Sequence, residues 1–150
     1  MKISVASDHA GFELKEAVKE HLTSAGHDVV DFGTDSAEST DYPDYATPAA
    51  LAVASGQVER GVLVCGSGQG MVMTANKVRG VRASLAWRED VARLSRQHND
   101  ANVLALPARF VDAETALKIV DAWLDAEFEG GRHTTRVEKM MKAEEETWQI

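Results

Sequence analysis

The sequence predicts an α/β fold, because short apolar segments with strand character alternate with amphipathic helical segments along all 150 residues. Such alternation is typical of βαβ units, which build parallel sheets with helices on both faces. The segments 62–64 and 103–106 are apolar throughout, as expected for strands that are covered on both sides. The expected architecture is therefore a three-layer αβα, Rossmann-like sandwich around a five-stranded parallel sheet. Because neither a repeat nor a linker interrupts the pattern, residues 1–150 are expected to form a single domain.

Five segments have the length and the β-branched, apolar character of strands. They lie at 2–7, 27–33, 61–66, 81–87 and 101–107. The second is bounded by His27 and Gly33 and is the most polar of the five. The strand order within the sheet does not follow from the sequence.

Helical periodicity fills the segments between and after these strands. The helices are expected at 11–26, from about 46 to Gly56, at 69–78, at 89–99, from Asp112 to about Phe128, and at 134–148. The inward face of the first helix is expected to contain Leu14, Ala17, Val18, Leu22 and Ala25. The inward face of the fifth is expected to contain Leu117, Val120, Trp123 and Leu124.

Several residues mark where these helices begin. Pro48 is expected to kink the second helix or to occupy its first turn, with Thr47 as the cap. Asp112 is a natural N-cap for the fifth helix. The Gly130–Gly131 pair breaks the chain, and Thr135 with Glu138 has the spacing of a capping box for the last helix.

The composition excludes several classes of protein. The formal net charge is −8, which disfavours a nucleic-acid scaffold or an acidic membrane surface as partner. No apolar run approaches the length of about 18 residues that a membrane span needs. A single cysteine cannot form an intrachain disulfide, which fits a reducing compartment, so a cytoplasmic location is expected. The N-terminal apolar segment is too short for a signal-peptide core.

Ligands of open parallel sheets bind at the carboxyl ends of the strands. The residues at those ends are Asp8 and His9, the run 65–70, Trp87 and Arg88, and the run 107–109. His98 and Asn99 lie before the fifth strand instead. Only a turn back toward the site, or a neighbouring subunit, could bring these two residues to the same place.

The run "CGSGQG" at 65–70 is the most informative segment. A glycine-rich turn before a helix offers backbone N–H donors and a positive helix end to an anion, either a phosphate or a developing oxyanion. The same glycines could equally serve only a tight turn. Cys65 fits a reactive thiolate at a helix N-terminus, but a lone cysteine at a strand end is more often a small buried hydrophobe.

Three familiar chemistries fit this run poorly. A cysteine phosphatase loop needs an arginine six residues after the cysteine, where this chain has Met71. A dinucleotide site needs G-x-G-x-x-G after the first strand, whereas this run is G-x-G-x-G after the third. The cysteine and the scattered histidines match no recognised metal-binding spacing, so no metal ion is expected.

Five motifs in order resemble the B-type ribose-5-phosphate isomerases of the ribose/galactose phosphate isomerase family. They are "ASDHAGF", "TDYPDYA", "CGSGQG" followed by "ANK" and "GVRA", "LSRQHNDANVLALPAR" and "DAWLDAEFEGGRHTTRV". The resemblance covers nearly the whole chain. It implies a reversible aldose–ketose isomerisation of a small phosphosugar through a cis-enediolate, with no cofactor and no metal. It also implies a homodimer or a dimer of dimers with shared active sites. The charged C-terminal segment is expected to face solvent, and the last helix, through Trp148, is expected to lie at a subunit contact.

The resemblance also implies roles for individual residues. Cys65 would be the base that moves the proton between C2 and C1, and His98 would open the sugar ring. Ser67 and the loop backbone would hold the enediolate oxygens, the loop residues being Gly66, Gly68, Gln69 and Gly70. Asp8, Tyr42 and Asn99 would contact the sugar, and the phosphate would be held by His9, Arg109, Arg132 and Arg136.

The chain departs from the family pattern at two positions in the loop. Ser67 replaces the threonine of many relatives, which keeps the hydroxyl. Met71 stands where one branch of the family carries a glutamate base, which leaves Cys65 as the candidate base of this loop. The preferred sugar stays open among ribose, allose, galactose and tetrose phosphates.

Simpler interpretations of these residues also remain open. Asp8 could cap the first helix, and Arg132 and Arg136, four residues apart beside His133, could form a solvated basic edge. A phosphosugar-binding module without catalysis would bind without turnover. A structural subunit of a hetero-oligomeric isomerase would be inactive until a homologous partner is added.

Overall fold

A computed structural model describes residues 1–147, which form five strands and six helices. The strands are β1 (Lys2–Ser7), β2 (Asp28–Asp31), β3 (Arg60–Cys65), β4 (Ala83–Leu85) and β5 (Val103–Pro107). The helices are α1 (Phe12–Ser24), α2 (Pro43–Ala54), α3 (Gln69–Ala75), α4 (Glu89–Asn99), α5 (Ala113–Asp125) and α6 (Arg132–Thr147). None of the helices within these residues is long and apolar enough to cross a bilayer.

All strand pairs in the sheet are parallel, in the order β2-β1-β3-β5-β4. This confirms the predicted α/β fold and its five-stranded parallel sheet. The chain moves outward from β1 to β2 and then crosses back to β3, so the switch point lies between β1 and β3. Ser7, the last residue of β1, pairs with Val64 of β3 at this point. Asp8 and Cys65, the residues that follow Ser7 and Val64 in the sequence, therefore lie close together at the carboxyl edge.

Two apolar layers cover the sheet. On one face, α1, α4 and α5 pack around the fully buried Trp123 and Ile119. On the other face, α2 and α3 pack against Leu63, Cys65 and Ala105. The α2 side is built from alanines, whose small side chains let the helix backbone approach the strands closely. The predicted αβα sandwich is confirmed by these two layers.

The expected start of the second helix is wrong. The helix begins at Pro43, which occupies a first-turn position where its missing N–H costs nothing. Pro48 lies inside the helix, and Thr47 is therefore not its cap. The deciding factor is packing, because the alanine face that starts at Ala46 is buried against the sheet.

Other boundaries and faces also differ from the sequence expectations. The third helix ends at Ala75 and the fifth at Asp125, three residues before each expected end. The last helix begins at Arg132, so the capping box at Thr135 is wrong, and Trp148 lies outside the described residues.

Burial in α1 differs at two positions. Ala25, expected to face inward, is exposed after the end of the helix. Lys15, which the periodicity leaves on the polar side, is fully buried, with its Nζ 2.7 Å from Asp31 and 2.6 Å from Glu16. The ion pairs compensate the cost of burying the ammonium group.

Candidate active site

The loop between β3 and α3 brings its backbone unusually close to its neighbours. Gly68 adopts φ +75°, a left-handed conformation that glycine tolerates best, and it precedes the first residue of α3. A Cβ atom at this position would lie 2.3 Å from Leu85 Cδ1 and 3.3 Å from the carbonyl carbon of Leu106. Ser67 Oγ accepts a hydrogen bond from the Gln69 N–H at 3.3 Å, so the serine keeps its own proton for another acceptor.

Two other glycines of the loop make room for side chains. A Cβ on Gly66 would lie 3.0 Å from Cζ of Arg109, and a Cβ on Gly70 would lie 2.8 Å from the ring of Tyr42. Absence of a side chain therefore lets a guanidinium and a phenol ring rest directly on the loop backbone. The structure thus gathers Arg109 and Tyr42, which come from distant parts of the sequence, around the predicted anion site.

Cys65 ends β3 at the edge of this loop and is only 4% exposed. Its carbonyl accepts the N–H of Ala108 at 2.9 Å, and the carbonyl of Gly66 accepts the N–H of Arg109 at 2.9 Å. These two bonds continue the β3–β5 pairing beyond the strands and fix the loop against the residues that follow β5. Burial suits either a packed thiol or a base shielded from water.

Asp8 and His9 lie beside this loop, at the end of β1. Asp8 is 7% exposed, and its Oδ1 accepts the N–H of Gly11 at 3.1 Å, which stabilises the turn leading into α1. The N-cap of α1 is Gly11, with no side-chain cap, so the capping interpretation of Asp8 is wrong; Asp8 stabilises the turn before the helix, and its second oxygen stays available for a ligand. His9 Nδ1 accepts the N–H of Thr40 at 3.1 Å. A neutral His9 ring must then carry its proton on Nε2, where it can donate to an anion.

His98 and Asn99 form a second cluster, at the C-terminal end of α4. The rings of His98 and His133 are stacked with centroids 4.2 Å apart and an angle of 11° between their planes. Both Nε2 atoms face Glu129 Oε2, at 3.9 Å from His98 and 3.6 Å from His133. Because α6 begins early, Arg132 and His133 share its first turn.

Charges around this cluster act mainly on His133. Burial lowers the pKa of His133 below its ordinary value, and the neighbouring His98 and Arg132 act in the same direction. Glu129 opposes them, and Arg136 lowers that pKa further. The lowered pKa favours the neutral form of His133, next to the two arginines of α6.

The second cluster has the composition of a metal site but not its geometry. The ligand atoms of His98, Glu129 and His133 lie within 4.8 Å of one another, and such a donor set can bind zinc. A zinc ion lies in the plane of each imidazole, about 2.0–2.1 Å from its nitrogen. Two nearly parallel planes whose centroids are 4.2 Å apart do not meet at such a point. The geometry is that of a stacked ring pair.

The two clusters lie at opposite ends of the sheet. Cys65 and Arg109 lie at the carboxyl ends of β3 and β5, whereas Asn99 lies before the amino end of β5. The five residues of β5 alone separate these ends by about 13 Å. Arg82, which precedes β4, binds the carbonyl of Asn99 and keeps the end of α4 at the amino edge. The described part of the chain therefore does not turn back, and a single copy keeps the predicted groups apart.

Glu129 is a residue of this cluster that the sequence expectations missed. It lies in an irregular segment before Gly130, and nothing in its spacing from His98 indicates a contact. The contact depends on a backbone hydrogen bond from the Glu129 N–H to the Gln97 carbonyl at 3.0 Å. Only the folded arrangement of α4 against the start of α6 reveals it.

A parallel α/β sheet with a glycine loop, a cysteine and the guanidinium of Arg109 at its carboxyl edge is the arrangement of an enzyme for small anionic substrates. The chain belongs to the Ribose/Galactose Isomerase family, whose sequence profile matches residues 3–140. This confirms the resemblance found in the sequence motifs.

Individual relatives are similar along almost their whole length. Ribose-5-phosphate isomerase B of Escherichia coli (strain K12) is 51% identical over 144 residues, which cover 96% of this chain and 97% of that protein. The structure of ribose-5-phosphate isomerase B from Clostridium thermocellum superposes with a TM-score of 0.97 at 50% identity, covering 98% of this chain and 99% of that one. The Mycoplasma genitalium enzyme, solved with bound ribulose-5-phosphate, gives a TM-score of 0.93 at 46% identity and 97% coverage of both chains.

Proposed function

We propose that this protein is an aldose–ketose isomerase that interconverts ribose 5-phosphate and ribulose 5-phosphate through a cis-enediolate. The observation that carries the proposal is the β3–α3 loop, which holds Cys65 beside a run of backbone N–H groups. The 51% identity to a ribose-5-phosphate isomerase B supports the choice of reaction. The ribulose-5-phosphate bound to the M. genitalium relative supports the choice of substrate.

In this mechanism the Cys65 thiolate removes the proton from C2 of the open-chain aldose and returns it to C1. The C2–H electron pair enters the C1–C2 bond, and the carbonyl π electrons move to O1, which forms the enediolate. When C1 takes up the proton, the O2 hydroxyl proton passes to O1, and the carbonyl forms at C2. Loop N–H groups stabilise the negative oxygen, and losing one such donor typically costs about 10²–10³ in rate. The Ser67 hydroxyl donates to the same oxygens; the bond in which its Oγ accepts the Gln69 N–H supports this role, because it leaves the hydroxyl proton free to be donated.

Binding and ring opening need the second cluster as well. His98 delivers a proton to the ring oxygen and removes one from O1, since an imidazole can give and accept protons near neutral pH. Asp8, Tyr42 and Asn99 contact the hydroxyl groups of the sugar. The positive groups that hold the phosphate are His9, Arg109, Arg132 and Arg136.

The separation of the clusters supports a site shared by two copies of the chain. His98, Asn99 and the arginines of α6 from one copy would complete the Cys65 loop of the other. A homodimer with two such sites is the simplest closed arrangement. We further infer that residues 1–150 act as one domain, with the last helix at the subunit contact, and that the enzyme works in the cytoplasm.

The direct test is Cys65→Ala. The variant should lose at least about 10³-fold in turnover of ribose 5-phosphate, because no other base is present in the loop. It should still bind ribulose 5-phosphate, as measured by calorimetry, and its thermal stability should change little. Iodoacetamide should inactivate the native enzyme, and substrate should protect it. Turnover at the native rate by the alanine variant would refute the proposal.

Substrate choice needs a separate measurement, because the family includes enzymes for different phosphosugars. A panel of four-, five- and six-carbon aldose phosphates should show the highest kcat/KM with ribose 5-phosphate. A higher value with a tetrose or hexose phosphate would keep the isomerase chemistry and correct the substrate. Binding without turnover across the whole panel would indicate a phosphosugar-binding module.

A further inference from the structure

We infer that His133 is a positioning residue for His98. Its ring stacks on one face of the His98 ring and holds that ring in a fixed orientation, while the Glu129 carboxylate lies near the Nε2 atoms of both rings. The inference rests on the proposed role of His98 in ring opening. It concerns the geometry of that step, not the proton transfer between C1 and C2.

The first argument is the asymmetry of the stacked pair. The side chain of His133 is 6% exposed, whereas that of His98 is 36% exposed. One face of the His98 ring is therefore covered by a buried ring, and the rest of the ring is left open to a ligand. With centroids 4.2 Å apart and planes 11° apart, the contact fixes the ring plane of His98.

The second argument is the construction of the support. Gly130 and Gly131 both have positive φ, at 65° and 56°. They turn the chain so that the start of α6 packs against α4. The N–H of His133 bonds to the Gly130 carbonyl at 3.0 Å, and the N–H of Glu129 bonds to the Gln97 carbonyl at 3.0 Å. Backbone bonds therefore fix the His133 ring relative to the residue that precedes His98.

The third argument is electrostatic. A ring that exchanges protons with a sugar becomes an imidazolium during its cycle, and a second imidazolium stacked on it would repel it. His133 avoids this repulsion because burial and the nearby positive groups hold its pKa below the ordinary value. A neutral aromatic face is instead attractive to a cation. The Glu129 carboxylate, about half exposed, adds a negative charge near both Nε2 atoms.

A purely structural role for His133, packing α6 against α4, predicts a different pattern of defects. Loss of packing would weaken the whole site and slow every substrate alike. Loss of His98 positioning would slow only substrates whose ring must be opened. Ribose 5-phosphate is such a substrate, whereas ribulose 5-phosphate cannot form a furanose because the hydroxyl group that would close the ring carries the phosphate.

The test compares His133→Ala with His133→Phe on both substrates. With ribulose 5-phosphate the rate of the alanine variant should stay proportional to enzyme and within about 2-fold of the native rate. With ribose 5-phosphate it should level off as enzyme is added, about 10–100-fold below the native rate at the same enzyme concentration, because spontaneous ring opening becomes limiting. The phenylalanine variant keeps a flat neutral ring and should recover most of the loss. His21→Ala is the matched control, because His21 bonds only to the surface residue Asp121 and should change neither rate.

His98→Asn, alone and combined with His133→Ala, separates failure of this inference from failure of the proposed function. If the positioning role is correct, adding His133→Ala to His98→Asn should cause no further loss on ribose 5-phosphate. Equal losses on both substrates for His133→Ala, or no recovery with phenylalanine, would overturn the inference alone. Equal losses on both substrates for His98→Asn would overturn the ring-opening role and this inference with it.

Discussion

Replacing Gly68 by alanine tests whether the close approach of the loop backbone is a structural requirement. The φ angle of +75° disfavours alanine, and its Cβ would lie 2.3 Å from Leu85 Cδ1. Gly56 has the same φ of +75°, but a Cβ there would meet nothing within 4 Å. Gly68→Ala and Gly56→Ala therefore share the conformational cost, and only the first adds a steric one.

The expected magnitudes follow from these two costs. An alanine in the left-handed region costs about 1–2 kcal/mol of folding free energy, which applies to both variants. Overpacking adds about 1–3 kcal/mol. It applies only at position 68, where the Leu85 methyl can move but the Leu106 backbone, 3.3 Å away, is held in the sheet. Gly68→Ala should therefore be less stable than Gly56→Ala by about 1–3 kcal/mol, since the shared term cancels.

The assay is denaturant unfolding of both variants at one protomer concentration, followed by isomerase activity. In a thermal scan each kcal/mol should shift Tm by roughly 2–4 °C for a chain of this size. Gly68→Ala should also lose turnover, because the N–H groups of the loop move, whereas Gly56→Ala should keep it. Equal destabilisation of the two variants would refute the steric argument.

Three further predictions concern charges and metal. Arg136→Ala should raise KM for ribose 5-phosphate about 10-fold or more, since a charged contact is worth about 1.5–3 kcal/mol; Arg79→Ala, a surface control, should not. Exhaustive EDTA dialysis should leave activity intact, and a loss restored by Mg²⁺ or Zn²⁺ would contradict the metal-free mechanism. Burial favours a higher pKa for Asp31, but hydrogen bonds from Lys15 and Lys19 outweigh it and lower that pKa. Asp31→Asn should therefore destabilise the protein at pH 7, and its deficit against the native protein should shrink as the pH falls below about 4.

Much of the fold could be predicted because local pattern and tertiary packing agree. The strand cores and α4 lie where their apolar periodicity places them. Disagreement arose where two local signals competed, as at Pro43 and Pro48, either of which could begin α2. Burial of the alanine face decided between them. Lys15 shows the same limit, since its partner Asp31 lies on another element and makes burial of the ammonium group possible.

The residues of the candidate site that follow parallel strands could be predicted from the sequence. Asp8, Cys65 and Arg109 come after parallel strands, so the carboxyl-edge rule brings them together. His98 and Asn99 follow no such rule, because they precede β5; in the proposed shared site a second copy of the chain supplies them. No feature of the sequence predicted that Glu129 contacts the histidine pair, because this contact depends on the turn at Gly130.

Mixing two variants that are each defective with ribose 5-phosphate tests most directly whether the Cys65 loop of one copy and the His98 cluster of another form one isomerase site. Cys65→Ala and His98→Asn are purified separately, mixed under conditions that exchange subunits, and assayed with ribose 5-phosphate. Each mixed dimer of a shared-site enzyme contains one site with both native residues. Half of the dimers are mixed after random exchange, so activity should return to about a quarter of the native value. Activity no higher than the sum of the separate variants, with exchange confirmed by mass spectrometry, would contradict the shared site.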